Sequence, residues 1–272
     1  VSGIVDFHIH TSPSLVPRHN DDHEVGPLLT QAGITTYVLK AHEGTTAERA
    51  QLAGDGAVGS IVLNSPVGGA NPDAAIVAAR LGARVVWMPT ISSECHKRSE
   101  RSSELEAHRG VSFRAVPVCR DEAVLDEWYD VFDLVASEDL ILASGHVSMD
   151  ETIAVFRAAR AQGVQRLLVN HPLLSFLGWR DDHVADLVEL GAYLEVGVLA
   201  DLLGGTEGES ATSRLAAVYP QSLLVFGSDL GHIHYPEVQP GITSWLEATE
   251  ASIGATALEM ITTTNGKELL SP

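Results

Sequence analysis

Eight short apolar runs, rich in Val, Ile and Leu and with little alternation, recur along the chain: Ile4–His10, Ile34–Lys40, Val58–Asn64, Arg84–Thr90, Leu140–His146, Arg166–His171, Ala192–Gly197 and Leu223–Asp229. Runs of this length without alternation are the pattern of parallel strands buried on both faces. Between them the apolar positions take helical spacing. Helices are predicted over Thr45–Leu52, Ala74–Arg80, Asp121–Ser137, Asp150–Ala161, Asp181–Leu190, Ser210–Tyr219, Pro236–Ser252 and Ala257–Thr264. Asn71-Pro72-Asp73 supplies an N-cap and a proline at the first helical position. Gly33, Gly82, Gly163 and Gly191 each fall between a helix and the next strand, where a helix stop is expected. Eight strands alternating with helices over about 250 residues is the arithmetic of a (β/α)8 barrel of the TIM type. The prediction is one α/β domain over residues 1–272. A doubly wound open sheet is the runner-up, weakened because no glycine-rich phosphate loop follows the first strand.

Composition narrows the function classes. With 17 Lys and Arg against 36 Asp and Glu, the net charge is −19. A field of that sign repels nucleic acid and anionic membranes, so neither is expected as a partner. No apolar run approaches the roughly 18 residues that span a bilayer. The two cysteines, Cys95 and Cys119, cannot form a disulfide framework, and a reducing, cytoplasmic setting is expected. One stretch departs from the acidic background. Ile91–Ala115 carries Lys97, Arg98, Arg101, Arg109 and Arg114 against four glutamates, and it follows the fourth strand, on the face where barrels build lids. It reads either as a solvated excursion or as a lid presenting cations to an anionic substrate. Trp128, Tyr129 and Phe132 read either as a homodimer interface or as packing against the barrel.

The positions of the 12 histidines carry the chemistry. His8 and His10 end the first strand, His42 follows the second, and His146 and His171 end the fifth and sixth. Asp229 ends the eighth. Strand C-termini of a barrel converge on one face, so these side chains are expected to meet. His8 and His10, two apart on a strand, share a side and can share one ion. Imidazole and carboxylate suit Zn, with Mn, Fe and Co as alternatives, in one or two ions.

The chain resembles the amidohydrolase superfamily of metal-dependent barrel hydrolases, through Asp6-Phe7-His8-Ile9-His10, Ser144-Gly145-His146, Asn170-His171-Pro172 and Gly227-Ser228-Asp229. More narrowly it is similar to the DUF6282 branch, through Val38-Leu39-Lys40-Ala41-His42, Leu63-Asn64, Gly68-Gly69-Ala70-Asn71-Pro72 and Val86-Trp87-Met88-Pro89-Thr90. The resemblance implies a metal site from His8, His10, His146, His171 and Asp229, and hydrolysis with Asp229 as general base and acid. Many binuclear members carry a bridging carboxylated lysine or a glutamate at the end of the fourth strand. Here that strand ends Trp87-Met88-Pro89-Thr90. Lys40, with His42 two residues on as a further ligand candidate, is the obvious substitute, either as a carbamate or direct ligand, as a cation that binds a substrate anion, or as a purely structural ion pair. Glu94 and Cys95 are weaker ligand candidates.

The expected reaction is hydrolysis of an amide, cyclic amide or lactone in a small anionic substrate, with metal-activated water. Arg18, His232, Asn64 and Thr90 are the candidate substrate contacts, although Asn64 and Thr90 could equally cap the turns that follow them. Two alternatives stay open: a mononuclear decarboxylase, and a phosphoesterase of the polymerase-and-histidinol-phosphatase type, the latter suggested by His232 and His234 after the eighth strand.

Overall fold

The computed structural model describes residues 2–99 and 111–271. Strands β1 (Ile4–Ile9), β2 (Ile34–Leu39), β3 (Ala57–Val62), β4 (Ala83–Trp87), β5 (Ile141–Ala143), β6 (Arg166–Val169), β7 (Tyr193–Val196) and β8 (Leu224–Phe226) form one sheet in chain order. Every neighbouring pair is parallel. The last strand returns to the first. The Asp229 N–H donates to the His8 carbonyl at 2.7 Å, and the His10 N–H donates to the Leu230 carbonyl at 2.9 Å. The predicted eight-stranded barrel is therefore the fold, not the open sheet.

Helices α1 (Asp22–Gln31), α2 (Ala47–Ala53), α3 (Pro72–Arg80), α4 (Glu94–Arg98), α5 (Tyr129–Ser137), α6 (Met149–Ala161), α7 (His183–Glu189), α8 (Val198–Gly204), α9 (Ala211–Val218) and α10 (Val238–Ile253) follow in turn. The chain ends with α11 (Ala255–Glu259), a π-helical turn at Met260–Thr264 and α12 (Asn265–Leu270). The cap read at Asn71 is present, its side chain accepting from the Ala74 N–H. Gly33, Gly82, Gly163 and Gly191 all take positive φ. Helix α1 is absent from the pattern-based prediction, because Pro27 sits inside it. Asp21 and Glu24 start it with a capping box. None of the described helices is long and apolar enough to cross a membrane.

The apolar runs divide their side chains between two layers. Val5, Phe7, Val38, Val62, Val85, Trp87, Ile141, Ala143, Leu168 and Val225 form one inner cluster, joined by Leu269 of α12. Ile9, Leu39, Ile61, Val86, Leu142, Leu194 and Phe226 belong to a second layer packed with helical residues. Trp128 and Phe132 are fully buried in that second layer, and Tyr129 packs against it. These rings hold α5 to the barrel. The lid expected of Ile91–Ala115 rests largely on residues 100–110, including Arg101 and Arg109, which lie outside the described residues.

The strands end earlier than the apolar runs do, because the backbone turns before the polar residues at the mouth. Gly145, His171 and Asp229 have φ of 64°, 35° and 52°. At Gly145 the turn brings the backbone so close to the β4–α4 loop that an added Cβ would stand 2.3 Å from the Met88 carbonyl oxygen. Gly82 also has positive φ, but nothing lies within 4 Å of its virtual Cβ. Gly145→Ala is accordingly expected to lower the unfolding free energy by roughly 3 kcal/mol. Gly82→Ala should cost only about 1 kcal/mol, the backbone term alone. Urea midpoints of the two variants measure the difference, and equal midpoints would disprove the close-approach argument.

Candidate metal centre

Three donor atoms converge at the mouth. His8 Nε2 and His10 Nε2 are 3.2 Å apart, and Asp229 Oδ1 lies 3.0 Å from the first and 3.2 Å from the second. Among the described residues this is the one group of three His, Cys, Asp or Glu donors close enough to share an ion. The partners of the other ring nitrogens decide what these atoms are. His10 Nδ1 donates to the Lys40 backbone carbonyl at 2.9 Å, which can only accept, so His10 Nε2 presents a lone pair. His8 Nδ1 lies 3.1 and 3.2 Å from the two oxygens of Glu195, and its Nε2 faces Lys40 Nζ at 3.0 Å. A lysine ammonium only donates, so His8 too carries its proton at Nδ1 and offers Nε2. Two lone pairs and a carboxylate oxygen thus crowd together, and the Lys40 ammonium supplies a hydrogen only at His8 Nε2. Such a set calls for a cation. Two ligand atoms each about 2.1 Å from a tetrahedral zinc stand about 3.4 Å apart, close to the 3.2 Å observed.

The first strand is pinned to the last at this point. Asp6 Oδ1 accepts from the backbone N–H groups of His8 at 2.9 Å and Ser228 at 2.8 Å, and the Ser228 hydroxyl donates to the His8 carbonyl at 3.0 Å. Lys40, 1% exposed, places Nζ 4.3 Å from the centre of the Trp87 ring, so an inner-cluster side chain forms the floor beneath the ammonium.

The remaining histidines extend the cluster into a ring. His42 is 5.0 Å from His10 and 5.9 Å from His146, centroid to centroid, and His171 is 5.0 Å from His146 and 5.8 Å from His8. Asn64 and Thr90 are fully buried and bonded to one another. Asn64 Nδ2 donates to the His42 carbonyl at 2.8 Å and to Thr90 Oγ1 at 2.7 Å, and Thr90 Oγ1 lies 2.9 Å from His42 Nδ1. They orient His42. Arg18 reaches the mouth from the long β1–α1 loop, its charge offset by Glu43 and Asp229. It pairs through its backbone with His232, whose ring packs against those of His234 and Tyr235. Of the segment after β4, His96 joins the ring, with Nδ1 3.0 Å from His146 Nδ1. Glu94 instead points to Arg98, and Cys95 donates to the Phe176 carbonyl.

Glu195, His96 and the floor role of Trp87 were not read from the sequence as site features. The signal for Glu195 is a lone acid inside the apolar run Tyr193-Leu194-Glu195-Val196, since a buried carboxylate in a parallel strand needs a partner. The neighbouring residues of His96 and Trp87 offer no comparable sign.

Burial sets the protonation of the ring. It lowers His8 to about 3 and His171 to about 4, and holds His10, His42 and His146 well below the usual imidazole value. Burial also raises Asp6 to about 7, and burial with the charge of Asp229 raises Glu195 to about 7. For the five imidazoles the unfolded chain takes up protons first, below its value of 6.5. Their contribution to stability is therefore present above that pH and drains away as pH falls. The two acids act in the opposite direction, but they are outnumbered. The chelator-treated protein should unfold at lower urea at pH 5.5 than at pH 7. A midpoint that rises on acidification would show that the buried imidazoles do not outweigh Asp6 and Glu195.

Known proteins place the chain as follows. No curated protein matches it in sequence. It superposes on a protein from Pseudomonas putida provisionally named a 2-pyrone-4,6-dicarboxylic acid hydrolase, with TM-score 0.64 and 18% identity, covering 99% of this chain and 98% of that one. The 2,6-dihydroxybenzoate decarboxylase of Rhizobium is similar over 99% of both chains, with TM-score 0.59 and 15% identity. An amidohydrolase from Pseudomonas aeruginosa is similar over 99% of this chain and 95% of that one, with TM-score 0.65 and 11% identity. At these identities the likeness is one of fold, a parallel eight-stranded barrel. Residues 3–195 match the family of unknown function DUF6282, and the chain belongs to that family.

Proposed function

We propose that this chain is a metal-dependent hydrolase that opens an amide, cyclic amide or lactone bond in a small anionic substrate. The observation that carries this reading is the convergence of His8 Nε2, His10 Nε2 and Asp229 Oδ1, with the imidazole protons committed to Glu195 and Lys40 on the far side of each ring. His8, His10 and Asp229 would hold the ion, with His146 as a further candidate, and zinc suits a nitrogen-and-oxygen donor set of this kind. When bound, the ion supplies Lewis acidity, which lowers the pKa of water and polarises a carbonyl. Asp229, at the open edge of the cluster with its side chain 12% exposed, is the group that water and substrate can reach. Its carboxylate takes the proton of the attacking water and returns it to the departing nitrogen or oxygen. Arg18 grips a substrate carboxylate, assisted by the loop that carries His232. Glu195 keeps the His8 ring turned so that Nε2 faces the centre.

A second reading, decarboxylation, is favoured by one observation. Lys40 stands as a buried cation 3.0 Å from His8 Nε2, and the end of β4 offers no carboxylate to bridge two ions. The 2,6-dihydroxybenzoate decarboxylase of similar fold lends it further support.

Metal content per chain, on protein purified without chelator, tests both readings. One ion is expected, lost in His10→Ala and retained in Lys40→Ala. Two ions falling to one in Lys40→Ala would instead identify a bridged pair with a Lys40 carbamate. No ion after reconstitution would overturn the proposal. The metal-loaded protein, assayed on carboxylated lactones and cyclic amides, should release acid without CO2; release of CO2 would favour the second reading. Glu195→Ala should weaken metal affinity by roughly 10- to 100-fold, measured by chelator competition, because His8 loses the partner that orients it.

A further inference from the structure

Asn170 settles which nitrogen of His171 carries the proton. Two backbone groups fix its amide: the Gly145 N–H donates to Asn170 Oδ1 at 2.8 Å, and Asn170 Nδ2 donates to the Gly145 carbonyl at 3.0 Å. Turned over, the amide would set donor against donor and acceptor against acceptor. The other hydrogen of Nδ2 points at His171 Nε2, 2.8 Å away, so that nitrogen accepts and bears no proton. The ring then keeps its proton at Nδ1. His171 Nδ1 is buried and has no hydrogen-bond partner among the described residues. The residue is 2% exposed, and its φ of 35° lies in the left-handed region that a histidine side chain disfavours. A buried N–H without an acceptor is costly, and backbone strain of this kind collects where a ligand completes the structure. His10 is the reverse case, with Nδ1–H spent on the Lys40 carbonyl and Nε2 left as a lone pair.

We infer that His171 is a hydrogen-bond donor to the substrate and not a metal ligand: its Nδ1–H serves the oxygen on which negative charge gathers as the acyl carbon becomes tetrahedral. The role rests on the hydrolase reading above, and His171 forms no bond to carbon. Preorganised donors of this type act on the transition state more than on the ground state. The substrate class that follows is acyl, with a carbonyl oxygen free to accept this bond.

The test is a long-range 1H–15N correlation spectrum of the metal-loaded full chain with 15N-labelled histidine, with His171→Ala used to assign the signals. His171 should be protonated at Nδ1 and bare at Nε2. His171→Ala should keep the wild-type metal content but bind inorganic phosphate, a tetrahedral oxyanion probe, about tenfold more weakly. Protonation at Nε2, loss of the ion from His171→Ala, or unchanged phosphate affinity would each overturn the assignment. Should His171→Ala fail to fold, Asn170→Asp supplies the assignment, because replacing the amide donor with an acceptor should move the His171 proton to Nε2; a spectrum that does not move would overturn it. A wild-type chain that takes up no metal would overturn the hydrolase reading alone, since the tautomer and the phosphate affinity can be read on the metal-free chain.

Discussion

Six imidazoles closed off from water can share one barrel mouth only if a neighbour decides where each ring carries its proton. Burial strips them of the solvent that would otherwise satisfy either nitrogen, and a mismatched pair would leave donor facing donor in a medium of low polarity. Several of the polar residues that surround the mouth answer this one demand. The Lys40 carbonyl decides His10, Glu195 decides His8, Asn170 decides His171, and Asn64 with Thr90 holds His42. The outcome is asymmetric. Around His8, His10 and Asp229 the rings turn lone pairs inward, and at His171 the ring carries an N–H. The proposed cation and the proposed developing anion would therefore take separate places at the same mouth.

The electrostatics of the mouth runs against that of the surface. A chain of net charge −19 gathers Arg18 and Lys40 at the barrel mouth, where burial holds five histidines below the usual imidazole value. Burial lowers Lys40 to about 8 and Arg18 to about 10, and the carboxylate of Asp229 works in the opposite direction for both. The acid background thus keeps bulk polyanions away, while a small anion that enters the mouth meets fixed positive charge in a poorly screened setting.

How far the sequence discloses this depends on how local each signal is. The strands are legible because a parallel strand buried on both faces must be apolar along its whole length, as Val85-Val86-Trp87 and Leu167-Leu168-Val169 are. The gathering of His8, His10, Lys40 and Asp229 is legible because barrel topology alone brings strand ends together. Glu195 is different. Its partner His8 lies 187 residues away, and nothing beside it in the chain shows the pairing. Helix α1 hides because Pro27 breaks its pattern, although Asp21 and Glu24 spell out its start. Asn170 is visible as part of an Asn-His-Pro motif, but its meaning resides in the direction of two hydrogens, which depends on Gly145 in another strand's loop. For the same reason Glu94 and Cys95 attract attention from sequence, whereas the short turn of α4 delivers His96.

Lys40 is the residue on which the two proposed readings differ. The end of β4 offers no bridging carboxylate and places Trp87 beneath Nζ, so Lys40 on β2 is the candidate in its place. As an ammonium over an aromatic face, Lys40 adds positive charge beside His8 and disfavours a second ion within its reach. As a carbamate it would reverse that sign and become a ligand. The surrounding side chains serve either state, since the Lys40 backbone carbonyl, not the amine, holds His10. The fixed part of the site is therefore built from backbone and buried acids, and the variable part is one amine. Under this division the two proposed readings, acyl hydrolysis and decarboxylation, differ at one amine and require no movement of any residue that orients the imidazoles.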